Sequence, residues 1–130
     1  MPRISSFMYC AIDDEGNNEM TTSINPDYIP GNYTFYSTFS IVDLKADRSY
    51  LLRLEFKDPN EEQVFITDDQ KLESPVEDGV KKKHVGVLVN FEYKNVPLKQ
   101  EGLYTTTVYV DNELIGDFTI PVYKGREDNE

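Results

Sequence analysis

The sequence predicts an all-β fold, an antiparallel β-sandwich of about seven to eight short strands. Apolar and polar residues alternate with a period of two along most of the chain, and helical periodicity is nearly absent. Turn-forming residues, including seven Gly and seven Pro, interrupt this alternation at short intervals. The 130 residues are sized for a single domain. We expect that domain over residues 1–123, followed by a charged, disordered tail over residues 124–130.

The first third of the chain is expected to contain two strands and a rigid loop. Alternation in "ISSFMYCAI" predicts a strand over Ile4–Ile12, and the polar stretch "DDEGNNE" after it predicts a turn around its glycine. The stretch "MTTSINP" predicts a short second strand that ends at Pro26. Two prolines and a glycine in "NPDYIPGN" then indicate a fixed loop.

The middle of the chain carries the clearest strand patterns. In "NYTFYSTFSIVDL" an apolar face alternates with a face rich in hydroxyl groups, and "SYLLRLEFKD" predicts an inward set of Tyr50, Leu52, Leu54 and Phe56. The stretch "DPNE" predicts a turn, and "EQVFIT" predicts a short strand. Residues 68–83 are charged and contain a proline and a glycine, so we expect the longest non-strand segment there, with room for one helical turn.

The last third predicts a strand, a crossing loop and a final hairpin. Alternation in "HVGVLVNFEY" predicts the strand, and "KNVPLKQEG" predicts the loop. In "EGLYTTTVYVDNELIGDFTIPVY" two alternating runs flank the tight turn "DNE". The returning strand is expected to face the core with Leu114, Phe118, Ile120 and Val122.

The final hairpin carries a resemblance to known proteins. The stretch "KQEGLYTTTVYVDNELIGDFTIPV" resembles the last two strands of an immunoglobulin-like sandwich, in which a tyrosine opens the penultimate strand. The resemblance implies that Tyr104, after Glu101 and Gly102, is a corner tyrosine whose phenol satisfies backbone upstream. Antibody domains also carry a Cys pair and a buried Trp, whereas this chain has one Cys and no Trp. The resemblance is therefore to the architecture.

Three pieces of the chain, one of them within this hairpin, resemble a class of small bacterial cytosolic proteins of unknown function. They are "SSFMYC", "INPDYIPGNYTFYSTFSI" and "EGLYTTTVYVDNELIG". This resemblance implies a β-sandwich without an assigned activity. The first residues agree with a cytoplasmic location, since they hold no apolar run of the length that a secretory signal or a transmembrane span requires.

The charge balance restricts the partners. Thirteen basic and 24 acidic residues give a net charge of −11, so there is no basic surplus for direct binding to nucleic-acid phosphates. A dense acidic surface could instead mimic nucleic acid, as in phage-type inhibitors of DNA-binding proteins. The acidic excess lies mainly in turns and in the tail, a distribution typical of solubility rather than mimicry.

Catalytic motifs are absent from the sequence, which contains no nucleophile elbow, P-loop or dinucleotide fingerprint. The single cysteine and the single histidine, Cys10 and His84, lie far apart in sequence, and we expect a buried small side chain and an exposed strand-end histidine rather than a catalytic pair. Paired carboxylates for glycoside hydrolysis would need a cleft that such short strands and the lack of Trp make improbable. We expect a non-enzymatic protein that uses no cofactor.

One acidic turn is a candidate metal site. The stretch "DDEGNNE" places Asp13, Asp14, Glu15 and Asn17 around a glycine, and oxygen ligands of this kind suit calcium, although the EF-hand spacing is missing. One Cys and one His cannot supply a zinc site. Binding of calcium at this turn, or of a carbohydrate on a tyrosine-bearing sheet face, is the alternative to a function in protein binding.

Outward tyrosines are the best candidate for a working surface. Tyr36 and Tyr109 are expected on the sheet faces opposite the core, and Tyr28 lies in the proline-rich loop. Tyrosine is favoured at interfaces because it gives a large contact area with a polar tip. The sequence defines no specific function. The hypothesis that it favours is a module that binds a protein partner or a second copy of itself, without contact to nucleic acid or membrane.

Overall fold

A computed structural model of the protein describes residues 1–13, 15–73 and 83–125. Within these ranges nine β-strands are present: β1 Arg3–Ile12, β2 Asn18–Thr21, β3 Gly31–Lys45, β4 Ser49–Lys57, β5 Gln63–Ile66, β6 Gln70–Glu73, β7 His84–Leu98, β8 Gly102–Val110 and β9 Glu113–Val122. The first sheet has the order β2-β1-β3-β7, and the second has the order β5-β4-β8-β9, with β6 also paired to β4. All of these strand pairs are antiparallel, so the predicted fold class is confirmed.

The strand order is that of an immunoglobulin-like sandwich. The first sheet places β1, β3 and β7 side by side, as strands A, B and E are placed in that fold. The second sheet places β4, β8 and β9 side by side, as strands C, F and G are placed. The short strands β5 and β6 share the remaining edge of β4.

Alternating apolar residues form the core between the sheets. The predicted inward set of β4 is buried, and so are Phe35, Phe39 and Ile41 of β3. Aromatic rings occupy the centre: Phe35 stacks on Tyr93 with ring centroids 4.2 Å apart, and Phe56 stacks on Tyr104 at 5.4 Å. Such pairs contribute about 0.5–1.5 kcal/mol each beyond burial, in a chain that has neither the Trp nor the Cys pair of antibody domains.

A chain of buried hydroxyl groups links the two sheets inside this core. Thr106 Oγ1 of β8 lies 2.8 Å from Tyr9 Oη and 2.9 Å from Tyr93 Oη. Tyr9 also donates to the Phe118 carbonyl at 2.6 Å, and Tyr93 donates to Ser37 Oγ at 3.0 Å. Burial raises the pKa of both phenols, that of Tyr93 to about 12. The hydroxyl groups are therefore neutral and paired, which removes most of the cost of burying them.

Three predicted boundaries are wrong. The second strand covers Asn18–Thr21 rather than the stretch up to Pro26. Strand β6 lies inside the predicted non-strand segment because it pairs with β4 across Ser49–Leu52, and residues 74–82 of that segment lie outside the described part. The predicted crossing loop is shorter, since β7 continues through Pro97 to Leu98. Proline is tolerated there because β7 pairs on one side only among the described residues.

The inward position predicted for Leu114 is also wrong, and a β-bulge is the cause. Asp111 and Asn112 have φ of 51° and 66° and form a two-residue hairpin turn. Tyr109 then pairs with Leu114 while Val108 pairs with Gly116, which leaves Ile115 as the extra residue. Leu114 is consequently 57% exposed, and Ile115 packs against the core.

The chain beyond β9 is anchored at its start. The Lys124 amide donates to Glu101 Oε2 at 2.9 Å, and the Gly125 amide donates to the Pro26 carbonyl at 2.8 Å. These two residues belong to the predicted tail, whose remaining residues, 126–130, lie outside the described part. The described residues contain no helix with the length and apolarity needed to cross a bilayer.

Candidate interaction surfaces

The outward side of the first sheet carries a regular grid of side chains, which we call the β3 face. Its rows cross β1, β3 and β7 and consist of Cys10–Tyr36–Glu92, Met8–Thr38–Asn90 and Ser6–Ser40–Leu88. Each row contains one side-chain hydrogen bond: Tyr36 to Glu92 at 3.0 Å, Thr38 to Asn90 at 2.9 Å and Ser6 to Ser40 at 2.9 Å. The face is therefore ordered by its own cross-strand bonds.

The β3 face is poor in charge and contains exposed apolar groups. Glu92 is the single ionisable carboxylate in the grid, and its bond to Tyr36 raises the pKa of that phenol. Leu88 is 69% exposed, and Met20, which lies beside Cys10, is 72% exposed. By contrast, 28% of the whole chain is charged. A partly apolar patch that is poor in charge thus lies on a strongly acidic molecule.

Tyr109 lies on the opposite side of the molecule, on the outward side of the second sheet. The Arg53 guanidinium covers its ring at 4.8 Å, and its hydroxyl donates to Glu55 at 3.3 Å. Arg53 also donates to Asp69 at 3.2 Å and to Asn112 at 2.7 Å. One face of the Tyr109 ring is therefore used within the protein, and Tyr36 and Tyr109 cannot belong to one flat surface.

Tyr28 lies in the loop before β3 and is 75% exposed. Its carbonyl oxygen is 2.7 Å from the place that a Cβ on Gly31 would take, so the loop returns too closely for any larger residue there. The structure thus places the three candidate tyrosines on three separate parts of the surface.

The candidate metal turn is closed by its own first residue. Asp13 Oδ1 accepts hydrogen bonds from the amides of Glu15 at 2.9 Å and Asn17 at 2.7 Å. The amide of Asn17 is the first of the groups that hold the pKa of this carboxyl below its usual range. Asp14 lies outside the described residues, and those that are described contain no cluster of three metal-binding side chains. Asp13 serves here as a turn cap.

The remaining singled-out residues lie in separate places. Tyr104 is buried, and its hydroxyl donates to the Gln100 carbonyl at 2.8 Å, which is the contact that defines a tyrosine corner. Cys10 lies opposite Tyr36, whereas His84 lies opposite Lys45, nine positions further along β3. This separation is on the order of 30 Å. Cys10 and His84 therefore cannot act as a nucleophile–base pair.

His84 instead contacts a carboxylate that sequence reasoning missed. Its Nδ1 lies 3.1 Å from Asp43 Oδ1, and the amine of Met1 lies 2.7 Å from Asp43 Oδ2. Asp43 has a φ of 63° and lies in an irregular stretch of the β3–β7 pairing. These groups are well exposed, and the arrangement is an exposed polar cluster beside the start of β7.

A groove between β1 and β9 was also missed, and we call it the β1–β9 groove. It has a volume of about 790 Å³. Phe7 and Phe118 form its apolar floor, stacked with ring centroids 4.1 Å apart. Met8 and Met20 line one side, and Asp117 and Thr119 line the other. Pro121 in β9 was the available signal, because proline in a strand marks an unpaired edge.

The fold, the corner tyrosine and the strand order define an immunoglobulin-like β-sandwich. Residues 12–123 match a family of unknown function, DUF6941, and the chain belongs to that family. The resemblance to proteins of unknown function is therefore supported in part, by the immunoglobulin-like fold and by membership of a family of unknown function. None of the curated proteins compared with the chain matches it significantly.

Solved structures share the fold at low sequence identity. An alkylpurine DNA glycosylase of Pseudomonas fluorescens bound to abasic-site DNA aligns with a TM-score of 0.59 and 11% identity, over 94% of this chain and 30% of the glycosylase. A β-glucosidase of Listeria innocua in complex with isofagomine aligns at 0.57 and 11%, over 96% of this chain and 16% of the enzyme. An immunoglobulin-like protein of Pseudomonas aeruginosa aligns at 0.50 and 15%, over 94% and 96%. The chain spans less than a third of either enzyme, and these likenesses show the fold alone.

Proposed function

We propose that the protein is a non-enzymatic β-sandwich that associates with a second copy of itself through the β3 face. The observation that carries the proposal is the low charge of this face on a molecule with a net charge of −11. Cores of protein interfaces are depleted of charged residues and enriched in Tyr and Met. The β3 face has this composition, with Tyr36, Met8 and the adjoining Met20.

The outward side of the second sheet is less suited to such an interface because it is charged. Its neighbouring residues Arg53, Glu55 and Lys57 are charged and bonded to one another or to Tyr109. Burying them against a partner would require their desolvation, whereas the hydroxyl and thioether groups of the β3 face cost far less to bury.

A second copy is a suitable occupant because the β3 face can meet itself. A two-fold axis through the central row would place equivalent patches against each other. Acidic turns elsewhere on two copies would repel only weakly across distances beyond about 8 Å at physiological salt. DNA, which the glycosylase neighbour binds, is a poor alternative, since this chain has no basic surplus.

Light scattering after size exclusion at several concentrations tests the proposal. We expect the wild-type protein to approach twice the 15.0 kDa of one chain as its concentration rises. Thr38→Arg places a charge at the centre of the β3 face and should keep the protein monomeric. Thr105→Arg is the matched control, because Thr105 is also a half-buried strand threonine bonded to a neighbour, but on the second sheet.

Two outcomes would contradict self-association through this face. One is a wild-type mass that stays at one chain up to high micromolar concentration. The other is a dimer that Thr105→Arg disrupts as strongly as Thr38→Arg does.

A further inference from the structure

The outer edge of β9 exposes main-chain groups whose direction can be deduced. The Pro121 carbonyl accepts a hydrogen bond from the Ile24 amide at 2.9 Å, so Pro121 faces away from β8. In an antiparallel pair, every second residue directs both of its main-chain groups to the same side. Register is continuous from Asp117 to Pro121, and therefore Thr119 and Asp117 also direct their N–H and C=O groups outward.

These outward groups have no strand partner among the described residues. Ile24 forms the bridge to Val122 and thereby covers the last part of the edge. Asp117 and Thr119 lie upstream of that bridge, where they line the β1–β9 groove. An unpaired strand edge beside an apolar groove is the arrangement that binds an added strand, because the edge supplies hydrogen bonds and the groove holds alternate side chains.

The groove also restricts which segment can bind. Its floor of Phe7 and Phe118 suits apolar side chains, and the flexible thioethers of Met8 and Met20 adapt to their shape. Asp117 adds a negative charge to the rim of an already acidic protein. A basic segment is therefore complementary, and a second acidic copy of this chain is not.

We propose that the β1–β9 groove binds an extended, basic segment of a partner protein by strand addition to β9. The segment alternates apolar residues, which contact the groove floor, with polar ones, and it carries a lysine or arginine that faces Asp117. Its backbone pairs with the outward groups of Asp117 and Thr119. This site shares Met8 and the adjoining Met20 with the β3 face, but its hydrogen bonds come from the edge of β9, so its test does not depend on self-association.

Tryptophan fluorescence tests this proposal directly, since the chain contains no Trp. The probe is a short synthetic peptide of alternating valine and threonine with a lysine at each end and one central tryptophan. We expect a saturable blue shift of its emission when the protein is added. A peptide with the same side chains but methylated amide nitrogens at alternate positions is the control, and it should bind at least about tenfold more weakly because it cannot donate to the edge.

Two variants of Thr119 separate edge pairing from contact with its side chain. Thr119→Pro removes the outward N–H and follows the example of Pro121, which already occupies an equivalent edge position. We expect it to weaken binding of the probe by about tenfold, whereas Thr119→Val, which keeps the N–H and changes only a side chain at the rim of the groove, should weaken binding by clearly less. Urea denaturation of Thr119→Pro checks that the variant is folded.

Binding that requires the peptide N–H groups and the Thr119 N–H supports strand addition. Absence of binding at millimolar peptide overturns the proposal. So does equal binding of the methylated peptide, which would show only apolar adsorption to the groove. A wild-type dimer that the peptide dissociates would assign the groove to a second copy, and this result would also overturn it.

Discussion

Thr106 is the single residue of the second sheet whose hydroxyl meets two phenols of the first sheet in the core, among the contacts described. Its Oγ1 lies 2.8 Å from Tyr9 Oη and 2.9 Å from Tyr93 Oη. The alternation of "LYTTTVYV" places Thr106 in one set with Tyr104, Val108 and Val110, but it does not show which groups its hydroxyl contacts. Its partner Tyr9 lies 97 positions away in the chain, and its partner Tyr93 lies 13 positions away.

Removing this hydroxyl should destabilise the protein without changing its shape. Thr106→Val replaces the hydroxyl with a methyl group of similar size, so that Tyr9 and Tyr93 each lose one buried partner. We expect the free energy of unfolding to fall by about 1–2 kcal/mol, measured by urea denaturation. Thr106→Ser keeps the hydroxyl and is the control. Equal losses for the two variants would show that the methyl group of Thr106, and not its hydroxyl, is what matters.

At the scale of elements, two hairpins use the same turn. Asp13 Oδ1 accepts from the amides two and four residues ahead, and Asp58 Oδ1 accepts in the same way from Asn60 and Glu62, at 2.8 and 2.9 Å. In each turn the fourth residue has a positive φ, 86° at Gly16 and 64° at Glu61. The sequence of the first turn also predicts a candidate calcium site, because carboxylates around a glycine fit both interpretations.

The fourth residue is glycine in the first turn and glutamate in the second, and this difference predicts opposite effects of substitution. Glu61→Gly should stabilise the protein by about 0.5 kcal/mol, since relief of the left-handed strain outweighs the greater entropy of glycine in the unfolded chain. Gly16→Ala should destabilise it by about 1 kcal/mol through backbone strain alone, because nothing lies within 4 Å of the added Cβ. Urea midpoints of the two variants measure both effects, and shifts of the same sign would refute the shared-turn explanation.

Elements with clean alternation could be predicted from sequence, and elements shaped by a partner strand could not. Strand β4 alternates without interruption, and its inward set is buried as expected. Strand β6 has little alternation of its own and forms because the edge of β4 is available to it. Leu114 illustrates a third case. The bulge at Ile115 shifts the alternation of β9 by one residue, so that Leu114 lies on the sheet face opposite to the one predicted. The candidate tyrosines could be found from sequence, whereas the groove depends on how β1 and β9 approach each other.

At the scale of the whole molecule, the buried phenols predict sensitivity to alkali. Burial raises the pKa of Tyr93 to about 12, and it also raises the pKa of Tyr9, whereas tyrosine in the unfolded chain ionises near 10. A raised pKa in the folded state means that its stabilisation is complete below about pH 10 and is lost as the pH rises through 12. The growing net negative charge acts in the same direction.

One substitution separates the effect of the buried phenols on stability from the effect of general charge repulsion. We expect the urea midpoint of the wild type to fall between about pH 9 and 11, and we expect a smaller fall in Tyr93→Phe, which has no proton to lose at that position. Tyr28→Phe is the control, since Tyr28 is exposed, and it should follow the wild type. An identical pH profile for all three proteins would exclude the buried phenols as the cause.

The interleaved strand order has a consequence for synthesis of the protein. The first sheet needs β7 beside β3, and Tyr36 meets Glu92 across 56 positions of the chain. The second sheet needs β9, which is the last strand described. A nascent chain therefore cannot complete either layer until Leu98 has left the ribosome, and it exposes unpaired strands until then. Distant pairing of this kind also places refolding in the range of about milliseconds to seconds.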